Sequence, residues 1–269
     1  MLIENRSWLS RSALRTRLSS VISSDEVEVD LLLREIEFRS ARSAICYPFA
    51  VEEEGIALRE NTDTAVYGFL LVASLPEAAF RKRKQWPKVD LGLDIVTVAA
   101  LRAMFGENSK AIRFAWPASD GRPTHFAAAI DWLAEKLGVA TGTGPRHSKR
   151  KDGGVDVVAW LPFSDSVNGF PVVLVQTTLS KRYSGKARDI SKGVWLSWLE
   201  LRADPIVALV IPFDVPFDSD QWFEISCDAQ LILDRMRLCE LLDGTPSGDL
   251  DSVDEIRAWT DSQLDQLAL

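Results

Sequence analysis

Histidine and cysteine are scarce in this chain: two histidines, His125 and His147, and three cysteines, Cys46, Cys227 and Cys239, among 269 residues. The cysteines have no framework spacing, and so few imidazoles argue against a zinc cage. No apolar run nears the roughly 20 residues that span a bilayer. The longest, around Val66 to Leu75, contains Tyr67, Gly68 and Ser74. Arg6, Arg11, Arg15 and Arg17 precede no apolar segment or cleavage site, so no secretory signal is expected. A basic excess is missing too. The net charge is −8, unlike that of a free-standing nucleic-acid binder. There is no GxxxxGK[ST] phosphate loop and no GxSxG elbow, and Gly142 and Gly144 lack the strand before and helix after that a dinucleotide site needs. The expectation is a reduced, cytoplasmic protein with no membrane segment.

What is present is an ordinary globular composition, 46% apolar and 9% aromatic with nine tryptophans, ample for an ordered core. Residues 6–22 and 25–45 carry apolar positions at helical spacing and predict a helical hairpin, with Ser24–Asp25 as cap and Pro48 as stop. IALRE and AVYGFLLVASL, within 55–75, read as strands, and residues 76–91 as a loop. Helices follow at 92–105, at 124–138 with Thr124 as cap, and at 185–202 with Val194, Trp195, Trp198 and Leu199 inward. Strands are expected at 111–116, 154–161, 171–177 and 205–213, and tail helices near 228–242 and 251–267. The glycine-rich, basic segment 139–151 is expected to be mobile. Three domains result: 1–75 as an N-terminal extension packing on the core, 76–215 as the core, and 216–269 as a helical tail.

The chemistry concentrates in Asp152–Lys186. Asp156 interrupts the apolar strand GGVDVVAW, where a carboxylate is costly unless paired or bound to metal. The other reading is an aspartate on the solvated face of an edge strand. Gly153 and Gly154 allow another backbone to approach closely. Gln176 ends VVLVQ, where its carbonyl is either a neutral metal ligand or a polar strand terminator. Asp94 lies between Leu93 and Ile95, a helix-start charge or a third ligand. Basic runs surround this region: 81–84 (RKRK), 146–151 (RHSKRK), and Lys181, Arg182, Lys186, Arg188 and Lys192. Such runs are either solvated loops or phosphate contacts.

DGGVDVV followed by VVLVQ resembles the GxD…QxK pattern of the PD-(D/E)XK nuclease superfamily, in its Mrr-like branch. With LDIVTVAALRAMFG and ILDRMRL, it is also similar to bacterial members of that superfamily found beside phage-defence genes. The resemblance covers roughly residues 90–240. It implies an α/β fold with a restriction-endonuclease-like mixed central sheet flanked by helices and an N-terminal helical extension. It also implies a Mg²⁺- or Mn²⁺-dependent endonuclease acting on DNA in antiviral defence. Asp94, Asp156 and Gln176 then bind metal, and Arg146, Lys149, Arg150, Lys151 and Arg182 meet the nucleic acid. Thr178 stands where the pattern has lysine. In this superfamily that lysine can migrate to the following helix, which makes Lys186, or Lys181, the catalytic amine. An acidic chain implies a partner that delivers it to DNA, a helicase or ATPase subunit, or a homodimer. Without an amine at the site, the alternative is a degenerate scaffold or sensor subunit.

Overall fold

The computed structural model describes residues 8–18, 26–42, 46–53, 55–59, 65–75, 87–165, 167–243 and 253–267. The run 81–84 and most of the 243–249 linker therefore lie outside the described residues. The chain divides into two compact units, Met1–Arg83 with Ser252–Leu269, and Lys84–Asp251. No helix among the described residues is long and apolar enough to cross a membrane.

In the first unit, strands β1 (Trp8–Ser10), β2 (Phe49–Glu52) and β3 (Gly55–Leu58) form an antiparallel sheet in the order β1-β3-β2. Helices α1 (Arg11–Leu18) and α2 (Glu26–Arg42) match the expected helical pair, but the sheet they accompany was foreseen only as the IALRE strand. AVYGFLLVA is helix α3 (Ala65–Ala73), not a strand. A run apolar on every side has no period to separate the two, and Leu70 and Val72 are fully buried. Helix α9 (Val253–Leu267) packs on α3, with Phe69 and Trp259 edge to face at 5.5 Å.

The second unit is built on a five-stranded mixed sheet. Strands β4 (Lys110–Arg113), β5 (Val157–Trp160) and β6 (Val172–Thr177) run antiparallel, while β7 (Ile206–Val210) and β8 (Leu231–Leu233) are parallel to β6, in the order β4-β5-β6-β7-β8. Helix α4 (Pro87–Phe105) contacts β4, β5, β6 and α8 (Arg235–Leu242) on one face. On the other face, α5 (Phe126–Leu137) and α6 (Lys192–Trp198) bury Phe126, Ile130, Leu133, Trp195 and Trp198 against Val158, Leu174 and Leu209. The parallel β6–β7 step needs a crossover, and the segment holding α6 supplies it.

Several expectations need correction. The presumed loop 76–91 holds the first turn of α4, which starts at Pro87, a residue suited to a helix's first position because its missing N–H has no partner to lose there. The helix 185–202 is a 3₁₀ turn, Lys186–Asp189, followed by the short α6. The supposed tail helix 228–242 is the end of α7 (Asp220–Asp228), then β8, then α8 capped by Asp234. Residues 216–251 thus complete the sheet unit instead of forming a tail. The N-cap position of α5 is His125, not Thr124, and its side chain makes no capping hydrogen bond. The segment 139–151 is packed: Thr141 bridges Leu199, and Gly142 and Gly144 lie so close to Ser197 that a β-carbon would overlap it.

Candidate active site

Asp156 is the residue just before β5. Its N–H donates to the Val175 carbonyl at 2.7 Å, and its own carbonyl accepts from Phe114 and Ala115 at 2.6 and 2.9 Å. The main chain of Asp156 is therefore held between β4 and β6. The turn before it is clasped by Asp152, which accepts from the N–H groups of Gly154 at 3.0 Å and Trp116 at 3.2 Å. Gly154 has φ of +82° and faces the Asp189 carbonyl, 2.5 Å from where a β-carbon would stand. Only glycine fits that place without displacement.

The side chains then converge. Asp156 Oδ2 accepts from the Thr177 N–H at 2.8 Å and from Gln176 Nε2 at 2.5 Å, with Thr177 Oγ1 3.3 Å away. The same Thr177 hydroxyl donates to Asp94 Oδ1 at 2.7 Å. Asp94, 2% exposed on α4, is also ion-paired through Oδ2 to Arg113 Nε at 2.8 Å. One threonine thus joins two carboxylates delivered by a helix and by the entry to a strand. Burial pushes the Asp94 carboxyl from 3.8 to about 6, against the pull of Thr177 and Arg113. Burial, and then the Asp94 charge, pushes Asp156 to about 7. Asp90, one turn earlier on α4, is also raised by burial and pulled back by Arg113.

The three expected ligands are brought together, but not equivalently. Both Asp94 oxygens are taken, by Thr177 and by Arg113. Asp156 Oδ1 and Gln176 Oε1 accept no hydrogen bond among the described residues, and neither is sealed from solvent. Two open oxygens beside a desolvated carboxylate pair suit a hard cation such as Mg²⁺ or Mn²⁺, which accepts few protein ligands and keeps water. No group of three or more His, Cys, Asp or Glu among the described residues forms a metal cage; the open donors here are one carboxylate oxygen, of Asp156, and one amide oxygen, of Gln176.

Neither expected lysine bonds this group. Lys181 is exposed, and the Lys186 amine lies 3.5 Å from Asp189 Oδ2. Lys186 opens the 3₁₀ turn, not a helix behind the strand. Thr178, in the pattern's lysine position, spends its N–H on the Val210 carbonyl. Of the residues expected to meet nucleic acid, Lys149, Arg150, Lys151 and Arg182 are exposed. The Arg150 guanidinium lies 5.7 Å from the centre of the Trp198 ring. Arg146 is turned inward, bonded to Asp131 at 2.5 Å and to the Gly142 carbonyl at 2.7 Å. An open cavity of about 670 Å³ lined by Lys110, Lys136, Trp160 and Phe163 opens at the opposite end of β4 and β5 and includes none of the carboxylates.

Sequence reasoning missed Arg113, Thr177 and Asp152. Each had a faint signal: Arg113 closes an apolar strand, Thr177 follows Gln176, and Asp152 stands two residues before a glycine. None of these signals names the distant partner: Asp94 for Arg113 and for Thr177, and Trp116 for Asp152. No family model, curated protein or solved structure matches this chain.

Proposed function

We propose that this protein is a metal-dependent nuclease of the restriction-endonuclease-like type, hydrolysing phosphodiester bonds in DNA as an effector of antiviral defence. The observation that carries the reading is the meeting of Asp94, Asp156 and Gln176 around Thr177 at one end of the sheet. The element order supports it: a helix, three antiparallel strands with α5 inserted between the first two, a crossover helix and a strand parallel to the third. The acidic overall charge favours delivery to DNA by a partner, a helicase or ATPase subunit or a second copy, over unaided capture.

Asp156 and Gln176 offer the two oxygens that hold the cation. A bound Mg²⁺ or Mn²⁺ supplies Lewis acidity toward a phosphoryl oxygen and a more acidic water. Asp94 acts through Thr177: it fixes the hydroxyl that lies against Asp156 and so sets the direction of the ligand carboxylate. Because both carboxyls are raised, the deprotonated, metal-competent form is gained as pH rises through about 7.

The test is cleavage of plasmid and linear DNA with Mg²⁺ and Mn²⁺, comparing wild type with Asp156→Ala, alone and with neighbouring gene products. Metal-dependent cutting that disappears in the folded variant is the expected result. A second reading, a degenerate nuclease fold serving as scaffold or sensor, draws on one observation: Thr178 occupies the lysine position and neither Lys181 nor Lys186 bonds the carboxylates. Absence of cutting of DNA and of RNA under every condition, with partner binding intact, would transfer the proposal to that reading.

A further inference from the structure

The site needs a cation from the chain itself to meet the phosphodiester, and the basic side chains around it can be sorted by what they already hold. Arg146 is committed to Asp131, Arg188 to Asp228 at 2.7 Å and Lys186 to Asp189. Arg122 is 5% exposed and points inward. Its Nη1 and Nη2 donate to the Pro123 and Lys151 carbonyls, its guanidinium lies over the Phe114 ring at 4.3 Å, and its Nε is buried. It supports the turn before Asp156 but offers nothing outward.

Arg113 differs from all of these. It is the last residue of β4 and pairs in register with Val157, the neighbour of Asp156. Its Nε holds Asp94 Oδ2 at 2.8 Å, and its Nη1 holds both the Pro117 carbonyl at 2.8 Å and Ser119 Oγ at 2.9 Å. Three bonds on two nitrogens lock the guanidinium plane. Nη2 has no partner among the described residues and is not sealed from solvent, although the side chain as a whole is only 10% exposed. A planar donor already fixed in direction loses little entropy on meeting an oxyanion, and guanidinium geometry suits phosphate.

We propose that Arg113, through its open Nη2, binds the phosphodiester at the site and takes over the charge role that the sequence pattern assigns to a lysine at position 178. This deepens the nuclease reading and rests on it. It explains why Thr178 is tolerated without a lysine moving into place. It also accounts for an electrostatic difficulty: the Asp94 and Asp156 carboxylates meet at one Thr177 hydroxyl and oppose the approach of a phosphodiester. Arg113, the cation paired with Asp94, restores the balance where the strand must approach.

Removing Arg113 alone strands a buried Asp94 charge and risks the fold. The comparison therefore uses Asp94→Asn against the double variant Asp94→Asn/Arg113→Met, in which no buried charge is left unpaired, with thermal melting as the check on folding. Binding of a fluorescent 20-base-pair duplex is followed by anisotropy in EDTA from 50 to 200 mM KCl, and Arg113→Lys is tested for rescue. Each phosphate contact contributes about 0.9 to the slope of log K against log salt. The expected result is a slope shallower by about 0.9 in the double variant than in Asp94→Asn. The slope is expected to be retained in Arg113→Lys, and wild-type cleavage to exceed that of Arg113→Lys. An unchanged slope, with Asp94→Asn still binding and wild type still cutting, overturns the role of Arg113 and leaves the nuclease reading standing. If wild type neither binds nor cuts DNA or RNA, alone or with neighbouring gene products, the nuclease reading falls, and this proposal with it.

Discussion

At Asp156 the fold accepts an electrostatic cost. Its carboxyl at about 7 and that of Asp94 at about 6 both exceed the ordinary 3.8, so the folded state holds these protons more tightly than the unfolded chain does. The stability they contribute is complete below about pH 4 and is lost as pH rises through 6 to 7. Asp156→Asn should relieve that cost. An asparagine can keep its oxygen at the Oδ2 position, accepting from Thr177 N–H and Gln176 Nε2, and place its amide where Oδ1 accepts nothing. At pH 8 the variant is expected to melt about 2–8 °C above wild type, for a gain of about 1–2 kcal/mol. The difference should close on acidification to pH 4, while metal-dependent cleavage is abolished. Melts at both pH values check it; a variant less stable than wild type at pH 8 contradicts the ascribed cause. Thr177→Val makes the converse case. It leaves Asp94 Oδ1 buried without its donor, and a loss of about 1–3 kcal/mol in urea unfolding is expected, with weaker Mn²⁺ binding as Asp156 loses its guide.

At the scale of elements, the turn between the 3₁₀ segment Ser148–Arg150 and β5 controls where Asp156 points. Gly154→Ala forces a β-carbon at positive φ against the Asp189 carbonyl, so either the turn or the Lys186–Asp189 segment must shift. The expected cost exceeds about 1 kcal/mol, and activity should fall further than stability because the Asp156 carboxylate moves with the turn; parallel melting and cleavage assays separate the two. These elements also show what a reader of sequence can reach. Asp156 and Gln176 were legible because each breaks an apolar strand, and such breaks carry a physical cost that asks for a reason. Their neighbours were not. Arg113 finds Asp94 only once β4 lies beside α4, and Thr177 bridges two carboxylates only when β6 is in register. Among the elements, α3 was misread because an unbroken apolar run has no period, and β8 because three residues, Leu231–Leu233, carry no pattern. The α6 region was overextended because its buried tryptophans fit a helix, while the stretch Lys186–Asp189 before it is a separate 3₁₀ turn.

At the scale of the molecule, every residue of the candidate site belongs to the unit Lys84–Asp251. That unit has a core of its own, in which Trp195, Trp198, Phe126, Leu133 and Leu174 are essentially removed from water. Its length falls within the roughly 50–250 residues of independently folding domains. A fragment spanning 84–251 is therefore expected to unfold in a single cooperative thermal transition. It should also retain the pH-dependent gain in stability from Asp156→Asn, since both carboxylates, Thr177 and Arg113 travel with it. Circular dichroism melts of the fragment and its Asp156→Asn form check both points. If the fragment melts cooperatively but the asparagine gives no gain at pH 8, the environment that raises Asp156 depends on residues outside it. If it fails to fold, the core of this unit is not sufficient alone.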